Sequence, residues 1–320
     1  AVTAIVVQAA HRIGSRALKN RWLWGIAAAS FVAIFALNMP FPAIVAVAAL
    51  IGYIGGRVAP DTFKIGGGHG KNDKNYGAAF IGDDTPTPTH AIFSWLRFTK
   101  VIGAGLLLWC VPMMFLTVTY GWDNTLTQMG WFFTKAALLT FGGAYAVLPY
   151  VYQGAVNIYG WATPTQMIDG LGLGETTPGP LIMVVTFVGF IGGYVKGVFG
   201  SDSLFFAGTI AALLVTWFTF LPSFIFILAG GPLVESTNNN IKFTAPLTAI
   251  TAAVVGVVLN LALFFGYHIL WPKGFEGNFD ITSAVIAVVA AIALFRYKRS
   301  VIQVIMGAAL IGLLTKTILF

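Results

Sequence analysis

Long runs of apolar residues constrain this chain more than any other feature of its sequence. Of its 320 residues, 58% are hydrophobic and only 9% are charged, and the mean hydropathy is +0.84. A soluble domain of ordinary composition carries about 25% charged residues, so a water-soluble globule would leave much of this apolar surface uncovered. Lipid offers no hydrogen-bond partners to the backbone, which favours helices in the spans. The composition therefore predicts an all-α fold, a polytopic helical protein embedded in a lipid bilayer.

Nine apolar stretches follow an amphipathic first segment at residues 2–18. We therefore expect about nine transmembrane helices, with broken helices near two Gly- and Pro-rich motifs. The stretches are 22–37, 43–58, 101–119, 131–152, 180–194, 204–230, 244–268, 281–295 and 301–320. Two of them, 22–37 and 43–58, reach only roughly 24 Å as helices, which is short for a hydrocarbon core of about 30 Å.

A long polar stretch separates the second span from the third. Residues 59–100 are rich in Gly, Asp, Thr and Pro, which is typical of a flexible linker. Its two histidines, His69 and His90, lack the ligand spacing of a metal site and are expected to be solvated. The chain thus divides into residues 1–58, a cytoplasmic linker at 59–100, and residues 101–320. We expect no metal and no cofactor.

The positions of the basic residues predict an orientation. Lys and Arg favour the cytoplasmic side of membrane spans. With the N-terminal arm inside, only four of the 18 basic residues fall outside, namely Lys135, Lys196, Lys273 and Lys316. The net charge of +7 also suits an anionic partner, but topology signalling is the simpler explanation, and we expect no nucleic-acid partner. This orientation places Glu175 near the cytoplasmic face, or in a loop re-entrant from it.

The sequence contains a weak internal repeat. Residues 1–58 match the end of 101–320 in three ordered blocks, which predicts an inverted-topology repeat of the kind found in many secondary transporters. On this hypothesis residues 1–58 are the end of a first repeat and 101–320 a complete second one. The matched blocks are Thr3-Ala4-Ile5 with Thr248-Ala249-Ile250, Ala33 and Phe35 with Ala293 and Phe295, and residues 48–52 with 308–312.

The second of the two motifs has the chemistry of an anion site. Thr176 and Thr177 are good N-cap residues, and proline is favoured in the first turn of a helix. A helix beginning near Pro178 would point its free N–H groups at the preceding loop, where a small tetrahedral oxyanion would bind. The alternative is a solvated loop in which the prolines only shape a kink. The motif reads Gly174-Glu175-Thr176-Thr177-Pro178-Gly179-Pro180.

Glu175 is an awkward neighbour for an anion unless it is protonated. A neutral Glu175 would permit anion binding and an ionised one would expel the anion, so this residue is a candidate for proton coupling. Asp169 is a second acid nearby.

The first motif lies within the apolar stretch 131–152. Its glycine pair permits close helix packing or an unwound turn, and Pro149 frees a backbone carbonyl. Tyr145 offers a hydroxyl donor, and Lys135 upstream either attracts an anion or extends to the interface. The motif reads Phe141-Gly142-Gly143-Ala144-Tyr145-Ala146-Val147-Leu148-Pro149. The predicted substrate-binding residues are Gly142, Gly143, Tyr145, Gly174, Thr176, Thr177, Pro178, Gly179 and Pro180.

Both motifs resemble those of the C-terminal half of the chromate ion transporters. The stretches 242–246 and 259–261 and the linker end 83–88 are also similar to that family. The resemblance implies a multi-pass inner-membrane protein that exports chromate, with sulfate as a competing analogue. Long family members have a front half with its own copies of the Phe-Gly-Gly and Pro-Gly-Pro motifs, and no stretch of this sequence matches those front-half copies. We therefore expect a homo-oligomer or a missing front repeat to complete the site.

Two other classes of function compete with secondary transport. A membrane-embedded enzyme would need a facing nucleophile and base, two carboxylates or a metal cluster, and the spans hold almost no His, Asp or Glu. A passive anion channel, or a transporter of another small oxyanion such as sulfate, remains the alternative. A channel would have no need of Glu175.

Overall fold

The computed structural model describes residues 1–59, 93–140, 144–177, 179–236 and 244–319 of the chain. In these ranges the regular elements are all helices, which confirms the predicted all-α, polytopic membrane fold. The helices are α1 Val2–Ala17, α2 Arg21–Phe35, α3 Phe41–Val58, α4 Trp95–Tyr120, α5 Thr125–Leu138, α6 Ala144–Tyr152, α7 Pro164–Thr176, α8 Val184–Lys196, α9 Leu204–Ser236, α10 Thr244–Leu270, α11 Ile281–Phe295 and α12 Val301–Leu319. A π-helical segment, Gln153–Ile158, extends α6, and 3-10 turns precede α8 and α9.

Within the described ranges, four helices are long and apolar enough to cross a membrane. They are Phe41–Val58, Trp95–Tyr120, Ser201–Gly231 (with its leading 3-10 turn) and Ala245–Leu270. Shorter apolar helices are Arg21–Phe35, Leu181–Lys196, Ile281–Phe295 and Val301–Thr315. Most predicted stretches therefore coincide with a helix. The predicted linker 59–100 lies largely outside the described residues, as do His69 and His90, and its last residues belong to α4, which begins at Trp95.

Two long helices organise the packing. Helix α10 packs against α1, α2 and α3, whereas α9 packs against α4, α5 and α8. Small residues permit the close approaches: a β-carbon at Gly256 of α10 would collide with the Ala27 carbonyl of α2, and one at Gly52 of α3 would lie 2.6 Å from the Ala245 carbonyl oxygen. Such contacts are typical of helix pairs in membranes, where glycine lets backbones meet.

The predicted single span at 131–152 is wrong. In a continuous helix, Phe132 and Tyr150 would be roughly 27 Å apart at 1.5 Å per residue. Instead their rings stack with centroids 4.7 Å apart and an interplanar angle of 15°. The chain turns back between Leu138 and Ala144, so that α5 and α6 form an antiparallel pair, hereafter the first hairpin.

A second hairpin follows from α7 and α8. Gly170 of α7 faces the ring of Phe187 in α8, and Gly174 lies against Val184 and Leu181, so the two helices run antiparallel. Helix α7 begins with a capping box in which Thr163 and Gln166 bond each other's backbone N–H groups. The predicted span 180–194 is thus the returning arm of a hairpin, joined to α7 by the second motif.

The two hairpins point the same way. Their open ends meet where Gly192 packs against Trp161 and Met129. Their closed ends meet at Tyr145 and Glu175, which hydrogen-bond each other. Tyr145 of the first motif and Glu175 of the second therefore lie together, although they are 30 positions apart in the sequence.

Candidate functional site

The closed ends of the two hairpins bring together residues from both motifs. The hydroxyl of Tyr145, in the first turn of α6, donates a hydrogen bond to the carboxylate Oε1 of Glu175, in the last turn of α7. Both side chains are half-buried. The structure thus joins the predicted hydroxyl donor and the predicted proton-coupling acid.

The predicted helix N-terminus at the second motif is wrong in its position. Thr176 is the last residue of α7 and Thr177 is its C-cap, so neither is an N-cap. Their hydroxyls donate to the carbonyl of Leu173, one turn back. The hydroxyls of Thr176 and Thr177, which were predicted to bind an anion, are thus bonded to the backbone instead. The reason is that the helix from Pro164 continues through Glu175. The following helical turn begins at Leu181, after Pro180.

The remaining motif residues divide into three groups. Gly174 is half-buried against Val184, while Gly179 and Pro180 are exposed at the break. Gly179 has a φ of +148°, a conformation that favours glycine. Gly142, Gly143 and Pro178 lie outside the described residues.

A cavity of about 390 Å³ opens beside the closed ends of the hairpins, and we call it the tip cavity. It lies between α5, α6, the Pro180 break and the middle of α9. Tyr145 and Pro180, one from each motif, both line it. Its lining residues are Ala137, Thr140, Ala144, Tyr145, Pro180, Leu181, Ile182, Thr219, Phe220 and Ser223.

Four hydroxyl groups face the tip cavity, and their hydrogen bonds distinguish them. Thr140 and Thr219 donate to the carbonyls of Ala136 and Val215, four residues earlier in the chain. Tyr145 donates to Glu175. The hydroxyl of Ser223 has no hydrogen-bond partner among the described residues. Ser223 is therefore the donor most readily offered to an anion in this cavity.

The electrostatics at the tips depend on Glu175. This residue lies in α7, which is not one of the apolar spans. Burial raises the pKa of the Glu175 carboxyl above its ordinary value, and the hydrogen bond from Tyr145 lowers it to a lesser degree. Arg12 of α1 lies within electrostatic range of the Tyr145 hydroxyl. Burial also raises the pKa of Asp169, which is exposed on α7 and lines none of the cavities described here.

Sequence reasoning missed part of this arrangement. Thr140, Thr219 and Ser223 gave no motif signal, because α9 reaches the cavity only through the fold. The capping box at Thr163–Gln166 can be recognised in the sequence and predicts where α7 begins. A helix that begins there places Thr176 at its end and not at the start of the next helix. Among the residues that the structure describes, no group of three or more His, Cys, Asp or Glu side chains is placed to hold a metal ion.

The sequence is similar to proteins of one family. The chromate transporter family model matches residues 127–313. A chromate transport protein of Pseudomonas aeruginosa is 31% identical over 318 residues, which are 98% of this chain and 64% of that protein. One of Cupriavidus metallidurans is 28% identical over 195 residues, 61% of this chain and 43% of that protein. An uncharacterized transporter of Methanocaldococcus jannaschii is 26% identical over 201 residues, 63% of this chain and 44% of that protein.

The chain therefore spans less than two thirds of the length of these relatives. No solved structure matches the chain.

Proposed function

The chain belongs to the chromate transporter family, and from this premise we propose that it is a secondary transporter that exports chromate across the inner membrane. Sulfate is the expected analogue, since both are tetrahedral dianions. The anion would bind in the tip cavity, at the broken-helix motifs. The observation that carries the proposal is the contact between Tyr145 and Glu175, which joins the two motifs beside a cavity lined with hydroxyl groups.

The donors of the tip cavity match an oxyanion. Ser223 offers a free hydroxyl, and Tyr145 offers a second one when Glu175 releases it. The helical turn that begins at Leu181 presents its N-terminal end at the cavity, which favours negative charge. None of the cavity's described lining residues is acidic.

Glu175 would couple a proton to the anion through Tyr145. When Glu175 is ionised, its carboxylate accepts the Tyr145 hydrogen bond, and its negative charge repels the anion. When Glu175 is protonated, it needs no donor, and the Tyr145 hydroxyl is free to turn toward the cavity. Burial raises the pKa of Glu175, so the protonated form persists to a higher pH than in an exposed side chain. Anion binding and protonation of Glu175 are thus mutually favourable.

The membrane potential favours export of a dianion. Moving one elementary charge through 100 mV is worth about 2.3 kcal/mol. An inside-negative potential of that size therefore favours the outward movement of two negative charges by about 4.6 kcal/mol. A co-transported proton would halve this driving force, because the complex would carry a single net negative charge.

Membership in a transporter family points to transport rather than to enzymatic activity. A passive anion channel is the second candidate. The Tyr145–Glu175 contact favours a coupled transporter over a channel, since an open channel gains nothing from a half-buried acid beside its pore. A transporter of another small oxyanion, such as sulfate itself, would use the same donors.

We place this multi-pass membrane protein in the inner membrane because of the family resemblance and the distribution of basic residues. The repeat hypothesis adds that residues 1–58 and 101–320 belong to two related units. The two proposed units contact each other: α10 packs against α2 and α3, and α1 packs against α11 and the Val304 turn of α12. Two related repeats would make contacts of this kind. A front repeat or a second copy of the chain would complete the transport path.

Equilibrium binding of sulfate to the purified chain tests the proposal. Sulfate stays dianionic over the accessible pH range, so changes in affinity report the protein. We expect binding that weakens as the pH rises through the pKa of Glu175, and binding that is independent of pH would contradict the proposed coupling.

A further inference from the structure

A second cavity lies on the opposite side of the first hairpin. It has a volume of about 490 Å³ and lies between α5, the π-helical extension of α6, and the turn that leads into α3. We call it the Lys135 cavity. Its lining residues are Pro40, Pro42, Phe132, Lys135, Leu138, Leu139, Tyr150, Gln153, Gly154, Ile158 and Tyr159.

Lys135 is the charged group of this cavity. The side chain is half-buried, and its Nζ lies 5.6 Å from the centre of the Trp131 ring. No acidic side chain in the described part of the chain forms an ion pair with it, and none of the described lining residues is acidic. A cation that has no ion-pair partner and lies in a concave, mainly apolar site attracts an anion strongly.

Gln153 supplies an oriented amide. Its carbonyl oxygen Oε1 accepts a hydrogen bond from the backbone N–H of Phe41, at 3.3 Å. Because the oxygen is held there, the NH₂ group remains as the donor of this side chain.

Two phenol groups complete the set of donors. The ring of Tyr150 stacks on Phe132, and the ring of Tyr159 stacks on Trp161 with centroids 4.3 Å apart. Stacking fixes both rings, so the positions of the hydroxyls are fixed as well. Neither hydroxyl has a hydrogen-bond partner among the described residues. The cavity therefore presents an ammonium group, an amide NH₂ and two phenolic O–H groups without bound acceptors.

We propose that the Lys135 cavity binds a tetrahedral oxyanion, at a second site distinct from the tip cavity. The donors match such an ion in number and type, and charge-assisted hydrogen bonds from Lys135 would supply most of the affinity. The last turn of α5 separates the two sites, because Leu138 and Leu139 face the Lys135 cavity while Ala137 and Thr140 face the tip cavity. The proposal rests on the proposed function only in its choice of sulfate as probe. A free dianion and the phosphate of a lipid headgroup share this chemistry.

Sulfate titration of the purified chain, in a phosphate-free maltoside detergent, tests the second site. Isothermal titration calorimetry gives the number of ions bound per chain. We expect two for the wild type and one for Lys135→Gln, with two retained in Lys135→Arg, which keeps the charge. Lys196→Gln is the matched control, since Lys196 is exposed at the end of α8 and lines neither cavity. It is expected to bind two.

The outcomes separate this proposal from the tip cavity. One ion bound by the wild type and still bound by Lys135→Gln would overturn the second site and leave the tip site standing. One ion that Lys135→Gln loses, and that substitutions at Tyr145 and Ser223 leave unchanged, would support the second site and contradict the tip site. No sulfate bound by the wild type would contradict both. Unchanged thermal unfolding of Lys135→Gln shows that the fold is intact.

A lipid arm distinguishes the two sources of the anion. The chain is reconstituted in nanodiscs of phosphatidylcholine alone or with phosphatidylglycerol, and retained lipid is quantified by mass spectrometry after delipidation. A headgroup occupant predicts that Lys135→Gln loses bound phosphatidylglycerol and that this lipid competes with sulfate in the wild type. A free dianion predicts equal sulfate binding in both kinds of nanodisc. Identical sulfate and lipid binding by the wild type and Lys135→Gln would overturn the proposal.

Discussion

Tyr145 and Glu175 stand 30 positions apart in the sequence, and their side chains share a hydrogen bond where two helical hairpins meet. Each residue belongs to one of the two Gly- and Pro-rich motifs. Tyr145 also lines the tip cavity. In the proposed mechanism its hydroxyl has two alternative acceptors, the Glu175 carboxylate and a bound anion. We propose that the protonation state of Glu175 decides between these two acceptors.

Replacement of Glu175 by Gln removes the pH dependence of anion binding. In the wild type, the affinity for sulfate falls about tenfold per pH unit above the pKa of Glu175, because one proton is released for each anion lost. Below that pKa the affinity is constant. Glu175→Gln mimics the protonated acid and binds tightly throughout. Titrations between pH 5 and pH 9 measure this, with the exposed Glu276→Gln as a control that keeps the wild-type profile.

Replacement of Tyr145 by Phe weakens anion binding and shifts its pH profile. Loss of one hydrogen bond to a charged group costs about 1.5–3 kcal/mol, or roughly a 10- to 150-fold loss of affinity at low pH. The hydrogen bond from Tyr145 lowers the pKa of Glu175, so its removal raises that pKa and moves the loss of binding to higher pH. Tyr194→Phe, on an exposed tyrosine of α8, keeps the wild-type affinity and midpoint. A midpoint that moves down in Tyr145→Phe would contradict the proposed partnership.

Substitutions at Ser223 and Thr219 compare a hydroxyl without a described hydrogen-bond partner with one that is already bonded. Ser223→Ala removes the hydroxyl without a described partner and is expected to weaken sulfate binding by roughly tenfold, the value of about one net hydrogen bond. Thr219→Val keeps the shape of the cavity wall and removes a hydroxyl already bonded to the Val215 carbonyl, so its effect is smaller. Ser201→Ala, outside the cavity, serves as control. Equal losses in both cavity variants would show that the hydrogen-bond pattern does not select the donors.

Cysteine labelling tests the first hairpin against a full crossing. Cys110 is the single cysteine of the chain and is replaced by Ser. Single cysteines are then placed at the exposed residues Asp123, before α5, and Asn157, beyond α6. A membrane-impermeant maleimide applied to sealed vesicles of one orientation labels both positions from the same side. Labelling from opposite sides would restore a crossing at 131–152 and contradict the hairpin.

Two glycine substitutions test the packing of α10. Gly256→Ala places a methyl group against the backbone of Ala27, where there is no flexible side chain to yield. Overpacking of this kind costs about 1–3 kcal/mol. Gly25→Ala, on an open face of α2, meets nothing within 4 Å and stabilises its helix by about 0.5–1 kcal/mol. Thermal unfolding in detergent should show a lower melting temperature for Gly256→Ala than for the wild type. The melting temperature of Gly25→Ala should not fall.

The sequence predicted the class of the fold because hydropathy and charge depend on local composition. It did not predict the hairpins, because an apolar stretch such as 131–152 has the same hydropathy whether it crosses the membrane or turns back halfway. The glycine pair at its centre was the one signal of a turn. Phe132 and Tyr150 reveal the turn only through their contact in space.

At the candidate site, too, the sequence predicted residues that belong to a motif and missed those that other segments supply. Tyr145 and Glu175 were predicted from motif chemistry, and the structure brings them together. The N-cap assignment of Thr176 and Thr177 failed because the capping box at Thr163 starts a helix that runs through them. The position of Ser223 and the residues that share a cavity with Lys135 could not be predicted, since segments distant in the sequence supply them.

Chromate flux into proteoliposomes under an imposed potential, with sulfate as competitor, tests whether this chain transports the anion through the tip cavity. The chain is measured alone and again with a front repeat from a long family member joined before Ala1, each with and without the Tyr145→Phe and Ser223→Ala pair. We expect saturable, potential-dependent flux in at least one form, inhibited by sulfate and lost in the double variant. Flux in neither form, or flux that the double variant leaves unchanged, would contradict anion transport through the tip cavity.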